Sequence, residues 1–472
     1  MTTAAVVLAA GKGTRFKSDL PKVLHTAAGR TMLRWVLEAL RPLDLDRVVV
    51  VVGHQADKVA AEAHGAGLEH LTTVEQAEQR GTGHAVRIAL ESGALDGIDD
   101  IVVLPGDTPL LTSDVLTGLL ERHAGGVTML TTHLDNPTGY GRVLRDGDGN
   151  VVGVVEQRDA TEEQLRITEV NTSMYAFARE PLGGALAKLT AANDQGEEYL
   201  TDVVAGLREF GVDAYQADAA AVAGVNDRLQ LAIAGSMLNN RILTAHMAAG
   251  VSVVDPLTTY VGGDVQLAAD VMLLPGTHLE GATRVAAGAV IGPDTRLVNA
   301  VVEEGATVTY SVVLDASIGP QATVGPFSYL RPGTRLEHKA KAGAFVEMKN
   351  STVGENSKVP HLSYVGDTTI GRDANIGAAT VTVNYDGFNK HRTVIEDGAR
   401  VGSDTMLVAP VTVGAGAYTG AGSVITKDVP PGALAVERTE QRIIEGYADR
   451  HRARSTKHPA ATDESDPKKQ EG

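Results

Sequence analysis

Across residues 251–430, apolar residues recur at every sixth position, a period that suits neither an α-helix nor an ordinary pleated strand and leaves few folds open. The cleanest run is Ile395, Val401, Leu407, Val413, Thr419 and Ile425, and a second is Ile318, Val324, Leu330 and Leu336. Such spacing predicts a parallel β-helix, in which each short strand is one side of a coil and the recurring aliphatic side chain points inward. Gly, Ala or Ser often stands beside the recurring position, as a chain that turns at every corner without a Cβ clash requires. The 52 glycines and an aromatic content of only 4% are likewise what a long, Gly-punctuated repeat produces. Residues 384–393 break the rhythm with polar, aromatic and basic side chains between Ile376 and Ile395. An interruption in a solenoid predicts a loop that leaves the surface, often for binding.

The first half of the chain has a different texture. From residue 4 to about 226, short β-branched runs (Val6-Val7-Leu8, then 48–52, then 101–104) alternate with longer helix-like stretches. Continuous apolar strands separated by helices predict a Rossmann-like α/β domain, with a parallel sheet covered on both faces. Ligands bind such sheets beyond the carboxyl ends of the strands, and these three runs end at Gly11, Gly53-His54 and Gly106-Asp107. Residues 227–249 contain no Pro and carry Leu231, Leu238 and Ile242 at helical spacing, which predicts one long connecting helix. At 472 residues, 43% of them apolar, the chain can bury two or three cores. The expected organisation is an α/β domain over 1–227, a connecting helix over 228–250, a β-helix over 251–437 and a C-terminal segment over 438–472. The end of that segment is charged and aperiodic, and it reads as disordered.

A formal charge of -17 argues against a surface that tracks nucleic acid or anionic lipid, while leaving room for local basic sites that take small phosphates. The absence of cysteine excludes disulfides, thiolate zinc sites and a Cys nucleophile, and it fits a reducing cytoplasm. Residues 1–10 lack the basic n-region of a secretory leader, and no apolar run reaches the roughly 18 to 20 residues of a membrane helix. The expected partners are small-molecule substrates, with neither nucleic acid nor membrane.

The string Leu8-Ala9-Ala10-Gly11-Lys12-Gly13-Thr14-Arg15 follows a strand, and Pro21-Lys22 completes it. Its glycines let backbone N–H groups approach a phosphate, and Arg15 and Lys22 supply cations for a triphosphate. Asp107, closing a buried strand, suits Mg²⁺, which prefers hard oxygen ligands; the competing reading of Asp107-Thr108-Pro109 is a helix N-cap. The first string resembles the sugar-1-phosphate nucleotidyltransferase signature, and Gln76-Ala77-Glu78-Gln79-Arg80-Gly81-Thr82-Gly83-His84 resembles that family's uracil-reading loop. The resemblance implies that Leu8, Ala9, Ala10, Gly11 and Lys22 line the nucleotide and that Gln76, Gly81 and Thr82 contact uracil. It also implies that Gly141, Glu156 and Asn171 bind N-acetylglucosamine, and that Asn226 touches the sugar nucleotide and joins Asp107 as a Mg²⁺ ligand. A dianionic phosphate attacking UTP in line needs no general base, so Arg15, Lys22 and Mg²⁺ would act by positioning and charge neutralisation.

In the repeat region, Val359-Pro360-His361-Leu362-Ser363-Tyr364-Val365-Gly366-Asp367 and Asn384-Tyr385-Asp386-Gly387 lie where a smooth solenoid has no need of them. Acyl transfer to an amine requires a group that takes a proton from nitrogen, and His serves near neutral pH. With these strings, the chain apart from its tail resembles the bacterial family of bifunctional N-acetylglucosamine-1-phosphate uridyltransferases and glucosamine-1-phosphate acetyltransferases. The resemblance implies a left-handed β-helix, His361 as the acetyltransfer base, and glucosamine-1-phosphate held by Arg331, Lys349, Tyr364 and Asn375. Ala378, Asn384, Tyr385, Ser403, Ala421 and Arg438 would line the acetyl-CoA groove. The family's prisms associate as homotrimers with the acetyltransferase pocket between subunits, and their product feeds peptidoglycan and other cell-envelope synthesis. Two alternatives are a nucleotidyltransferase whose β-helix only assembles or regulates, and a non-catalytic nucleotide-binding scaffold. His361 and the interrupted coil argue against the first; intact Arg15, Lys22, Asp107 and Asn226 argue against the second. Three positions depart from the family pattern: Pro105, where relatives often carry a hydroxyl side chain, and Ser173 and Ala379, where Gly is usual.

Overall fold

The valine-rich runs form strands Thr3–Ala9, Arg47–Val52 and Asp100–Pro105, buried on both faces. The computed structural model describes residues 1–191, 193 and 195–455. Across the first sheet the order is Leu71–Glu75, Arg47–Val52, Thr3–Ala9, Asp100–Pro105, Glu169–Ala178, Val127–His133 and Val212–Gln216. The first four run parallel. Glu169–Ala178 runs antiparallel to both of its neighbours, which corrects the all-parallel expectation. A reversed strand buried on both faces carries the same continuous apolar composition as a parallel one, so composition does not reveal its direction. Its register shifts between Asn171 and Tyr175, and within that bulge Ser173 adopts φ +62°. A hairpin of Arg142–Arg145 and Val151–Val155 joins the same end of this strand through Arg142 and Val170. Helices Met32–Leu40, Ala56–Gly65 and Ser113–Arg122 cover one face of the sheet, and Thr82–Glu91 and Arg179–Leu186 cover the other.

The connecting helix spans Arg228–Ala248, and Asp227 caps it by accepting from the Gln230 N–H at 2.9 Å. Its first half packs Leu231, Ala234 and Leu238 against Phe16, Met32 and Leu110 of the α/β domain. Its second half sends Ile242 and Leu243 into the core of the repeat region, while Asn239 bonds Thr259 O (2.9 Å) and Val261 N (3.0 Å) of the first coil. One helix therefore belongs to both cores and closes the open end of the solenoid.

The repeat region is a β-helix of three parallel sheets with eleven, ten and nine strands, running from Ser252–Val253 to Leu434–Ala435. Leu273 lies against Ile291, one coil of eighteen residues later, and the hexad aliphatics form a continuous buried column. Two residues before many of them stands a buried Ala, Ser or Thr, such as Ala289 before Ile291 and Ser351 before Val353. A buried hydroxyl left unpaired costs about 1–3 kcal/mol, and several here avoid it by donating to the corner carbonyl: Thr277 to Leu274, Thr380 to Gly377 and Thr405 to Gly402, each at 2.7 Å. Thr419, the one polar member of the cleanest hexad run, accepts from Gly402 N at 2.9 Å. In the interrupted coil Ile370 lies against Ile395, an advance of twenty-five residues, and the surplus forms the expected loop.

Within the C-terminal segment Tyr447–Ser455 is a helix, which corrects the aperiodic reading there; its sequence holds Ala and Arg, good helix formers, but no apolar stripe to announce itself. The remainder of the expected disordered tail lies outside the described residues. No helix among the described residues is long and apolar enough to cross a membrane.

Candidate active sites

The first site sits where the expected strand ends meet. After Thr3–Ala9 the chain turns through Gly11 and Gly13; Gly13 adopts φ +63°, and the stem of Lys22 fills the space a Cβ would need. Lys22 Nζ pairs with the Asp107 carboxylate and donates to Asn226 Oδ1 at 3.0 Å, and Arg15 Nη2 donates to the same oxygen at 2.8 Å. The Asp107 carbonyl accepts from Val225 N (3.0 Å), which stitches the loop carrying Asn226 to the end of Asp100–Pro105. Two oxygen donors from distant parts of the sequence thus already grip an ammonium group. Tyr140 lies close by; burial raises the pKa of its phenol and the Asp107 charge adds to the effect.

At the other end of the cleft, Gln76 Nε2 donates to Gly81 O (3.1 Å) and meets His84 Nδ1 (3.1 Å), so its Oε1 is the end left to accept from a ligand N–H. Gly81 holds φ +114°, and a Cβ there would stand 2.5 Å from Glu198 O. Glu198 is buried between Arg80 and Arg87, and its carbonyl accepts from Gly83 N at 2.8 Å. Three residues on, Thr201 donates to Glu156 at 3.2 Å. Residues 198–201 therefore tie the Gly81 loop to Glu156, a link the sequence does not announce because much of it is made by backbone. The Glu156 carboxylate lies over Gly141, whose added Cβ would be 3.4 Å from both of its oxygens, and Asn171 N donates to Gly141 O at 2.9 Å. Burial pushes the Glu156 pKa up, Asp202 and Asp159 add to it, and the Thr201 hydrogen bond opposes it. Gly141, Glu156 and Asn171 are brought together as expected.

On the β-helix, His361 stands at a corner, and Ala378, Ser403 and Ala421 follow it on successive coils. Ala379 N donates to His361 O (3.3 Å), Asp404 N to Ala378 O (2.7 Å) and Gly422 N to Ser403 O (2.8 Å). Arg438 reaches the end of this strip, donating to Ala421 O at 3.0 Å. Gly377 and Gly402 pack against the backbone of the next coil with no room for a Cβ, so the strip stays lined by small residues.

Arg331, Lys349 and Tyr364 share the adjoining sheet and its end. Lys390, from the 384–393 loop, presses on Lys349 and lowers its pKa, and the charge of Arg331 adds to this. Arg331 pairs with Glu347 at 2.8 Å. Three cations thus gather in a chain of strongly negative net charge. Lys390 was not singled out from the sequence; the basic character of the interrupted coil was its signal. The loop is self-braced: Asp386 accepts from Phe388 N (2.8 Å) and Asn389 N (2.6 Å) and pairs with His391 (2.7 Å). Asn375 does not join this group on one chain. It lies on a different sheet, in a cleft of about 590 Å³ with Lys358 and Arg400.

A family model described as MobA-like NTP transferase domain matches residues 5–147, and one described as bacterial transferase hexapeptide (six repeats) matches residues 392–427. The chain is 53% identical over 467 residues to the Bifunctional protein GlmU of Streptomyces coelicolor, covering 97% of this chain and 96% of that protein. The chain belongs to the bifunctional GlmU family. It is 52% identical over 471 residues to the member from Mycolicibacterium smegmatis, covering 97% of each, and 49% identical over 482 residues to that from Corynebacterium glutamicum, covering 100% of this chain and 99% of that protein. It is accordingly an N-acetylglucosamine-1-phosphate uridyltransferase and a glucosamine-1-phosphate acetyltransferase in one chain. Use of UTP and acetyl-CoA fits this membership, and the hexapeptide β-helix is consistent with an oligomer.

Proposed function

We propose that residues 1–227 carry uridylyl transfer and residues 251–437 carry acetyl transfer, each with the residues described above, in a homotrimer. The observation that carries the first half is the grip of Asp107 and Asn226 on the Lys22 ammonium. Two hard oxygens that hold a cation without a third acidic neighbour suit Mg²⁺, which keeps much of its shell for water and substrate phosphate; among the described residues no cluster of three or more His, Cys, Asp or Glu could hold a metal. Asp107 and Asn226 would hold Mg²⁺ there, and the ion would supply charge neutralisation at the triphosphate. Lys22 and Arg15, released from their carboxylate and amide partners, turn to phosphate oxygens, and Gln76 Oε1 accepts from uracil. The sugar phosphate, positioned by Gly141, Glu156 and Asn171, forms its bond to the α-phosphorus of UTP as the bond to pyrophosphate breaks.

In the second half, Arg331, Lys349, Tyr364 and Lys390 hold the phosphate of glucosamine-1-phosphate, and the strip Ala378, Ser403, Ala421 and Arg438 takes acetyl-CoA together with Asn384 and Tyr385. His361 receives a proton as the amine nitrogen bonds to the thioester carbonyl; the carbon–sulfur bond breaks and the proton passes to the leaving thiolate. A trimer is supported by an exposed aromatic column, with Tyr310 on Phe327 (5.7 Å) and Phe327 on Phe345 (5.3 Å), continued by Leu362 beside His361. Phe388 at the loop tip is 91% exposed. Such apolar surface calls for a partner, and a second copy that covers it would also carry its Asn375 to the pocket. The test is chelation: with excess EDTA, pyrophosphate release from UTP and N-acetylglucosamine-1-phosphate should stop while CoA release from acetyl-CoA and glucosamine-1-phosphate continues. Loss of both, or of neither, would refute this division of labour.

A further inference from the structure

Asp367 sits at a β-helix corner, 7% exposed and at φ +50°, one residue beyond the sheet that carries Lys349 and Tyr364. Its Oδ1 accepts from Asn350 Nδ2 and its Oδ2 from Asn384 Nδ2, both at 2.6 Å. Its backbone N donates to Lys349 O (3.0 Å), and its carbonyl accepts from Thr393 N (3.3 Å). The residue therefore holds the 384–393 loop at both ends, by side chain where it leaves and by backbone where it returns. A carboxylate can only accept, so Asn384 must offer it the amide nitrogen. That leaves Asn384 Oδ1, which makes no hydrogen bond among the described residues, as an acceptor. Beneath both lies Gly366, where an added Cβ would stand 2.6 Å from Asn384 Nδ2 and 2.6 Å from Tyr364 Oη. The two side chains are thus seated on one small residue.

We propose that Asp367 is a positioning residue for acetyl transfer, fixing Asn384 with its oxygen toward the N–H of bound substrate and holding Lys349 and Lys390 together as one phosphate site. This rests on the reading of the His361 site given above. The groups facing Lys349 are Lys390, Arg331 and Asp367, with Glu347 engaged by Arg331 and Tyr364 beside it. Asp367 is the carboxylate that acts on the lysine pair. Burial alone would raise its pKa, but the Asn350 and Asn384 bonds and the two lysine charges hold it below the usual range. A corner Asp can also be purely architectural: Asp315, at φ +46°, accepts from Asn299 at 3.0 Å on the same corner, several coils below. Asp315 therefore serves as an internal control.

The experiment compares Asp367→Asn and Asp315→Asn in the full-length protein. Asn tolerates left-handed backbone as Asp does, so the corner survives, but Asn at 367 cannot keep two acceptors and carries no charge. For Asp367→Asn, acetyl-transfer kcat should fall about 10- to 100-fold, as when a group that orients a site residue is lost. The KM for glucosamine-1-phosphate should rise, and the alkaline limb of kcat/KM should move to lower pH as Lys349 loses the counter-charge of Asp367. Uridylyl transfer and melting temperature should stay at the wild-type values, and Asp315→Asn should leave both activities intact. Acetyl-transfer kcat/KM within about twofold of wild type, an equal loss in Asp315→Asn, or joint loss of both activities and of thermal stability would each overturn the proposal. Should Asp367→Asn fail to fold, Asn350→Ala removes one tether of the carboxylate and should raise the same KM; an unchanged KM there would also overturn it. If wild type transfers no acetyl group, the reading of the His361 site fails instead.

Discussion

Gly81 and Ser173, the latter in the bulge beside Asn171, both hold backbone at positive φ, yet only one of them is glycine. At Gly81 the space is taken as well as the conformation, so Gly81→Ala should destabilise the fold by about 1–3 kcal/mol and raise the KM for UTP; urea unfolding and steady-state kinetics check both. Ser173 pays the cost of a side chain in left-handed backbone, and Ser173→Gly should stabilise by about 0.5–1 kcal/mol, read as a higher urea midpoint. Glu156 gives a pH prediction. Its pKa is raised in the fold, so its ionised form opposes folding above that pKa, and the penalty is relieved as pH falls through it. Glu156→Gln should therefore melt higher than wild type at neutral pH, with the gap closing on acidification, while sugar-phosphate KM rises. A lower melting temperature at neutral pH would contradict this. Residues inside motifs, such as Lys22, Gln76 and His361, were legible one by one as candidates. Lys390 was not, and Asp367, although it ends a quoted string, carried no role there, because what each does depends on neighbours a coil away.

Among elements, the hexad columns and the connecting helix were readable because each carries a period that only one geometry satisfies. The reversed strand Glu169–Ala178 was not, since burial on both faces erases any direction signal, and the short helix Tyr447–Ser455 has no buried stripe to reveal it. The interrupted coil was legible as a loop, and its energetics follow from the same column. The loop adds no inward aliphatic side chain to the core between Ile376 and Ile395. Deleting residues 385–391 restores an eighteen-residue advance, so the protein should fold with a near-wild-type melting temperature and keep uridylyl transfer while acetyl transfer disappears. A deletion that unfolds the β-helix would show that the loop is structural after all.

For the whole molecule, the two halves are joined by one helix but depend on assembly differently. The residues proposed for uridylyl transfer meet within one chain, whereas those proposed for acetyl transfer leave Asn375 on another sheet and an aromatic column exposed. If the proposed trimer forms through that column, placing a charge in it, as in Phe327→Glu with Phe345→Glu, should give monomers by light scattering and abolish acetyl transfer, with uridylyl transfer retained. The claim that one chain holds two separable sites is tested most directly by His361→Ala, assayed for CoA and pyrophosphate with UTP, acetyl-CoA and Mg²⁺ present. The account predicts that the variant releases neither product from glucosamine-1-phosphate yet makes pyrophosphate from N-acetylglucosamine-1-phosphate at the wild-type rate. Undiminished CoA release by the variant, or loss of the second reaction with the first, would contradict it.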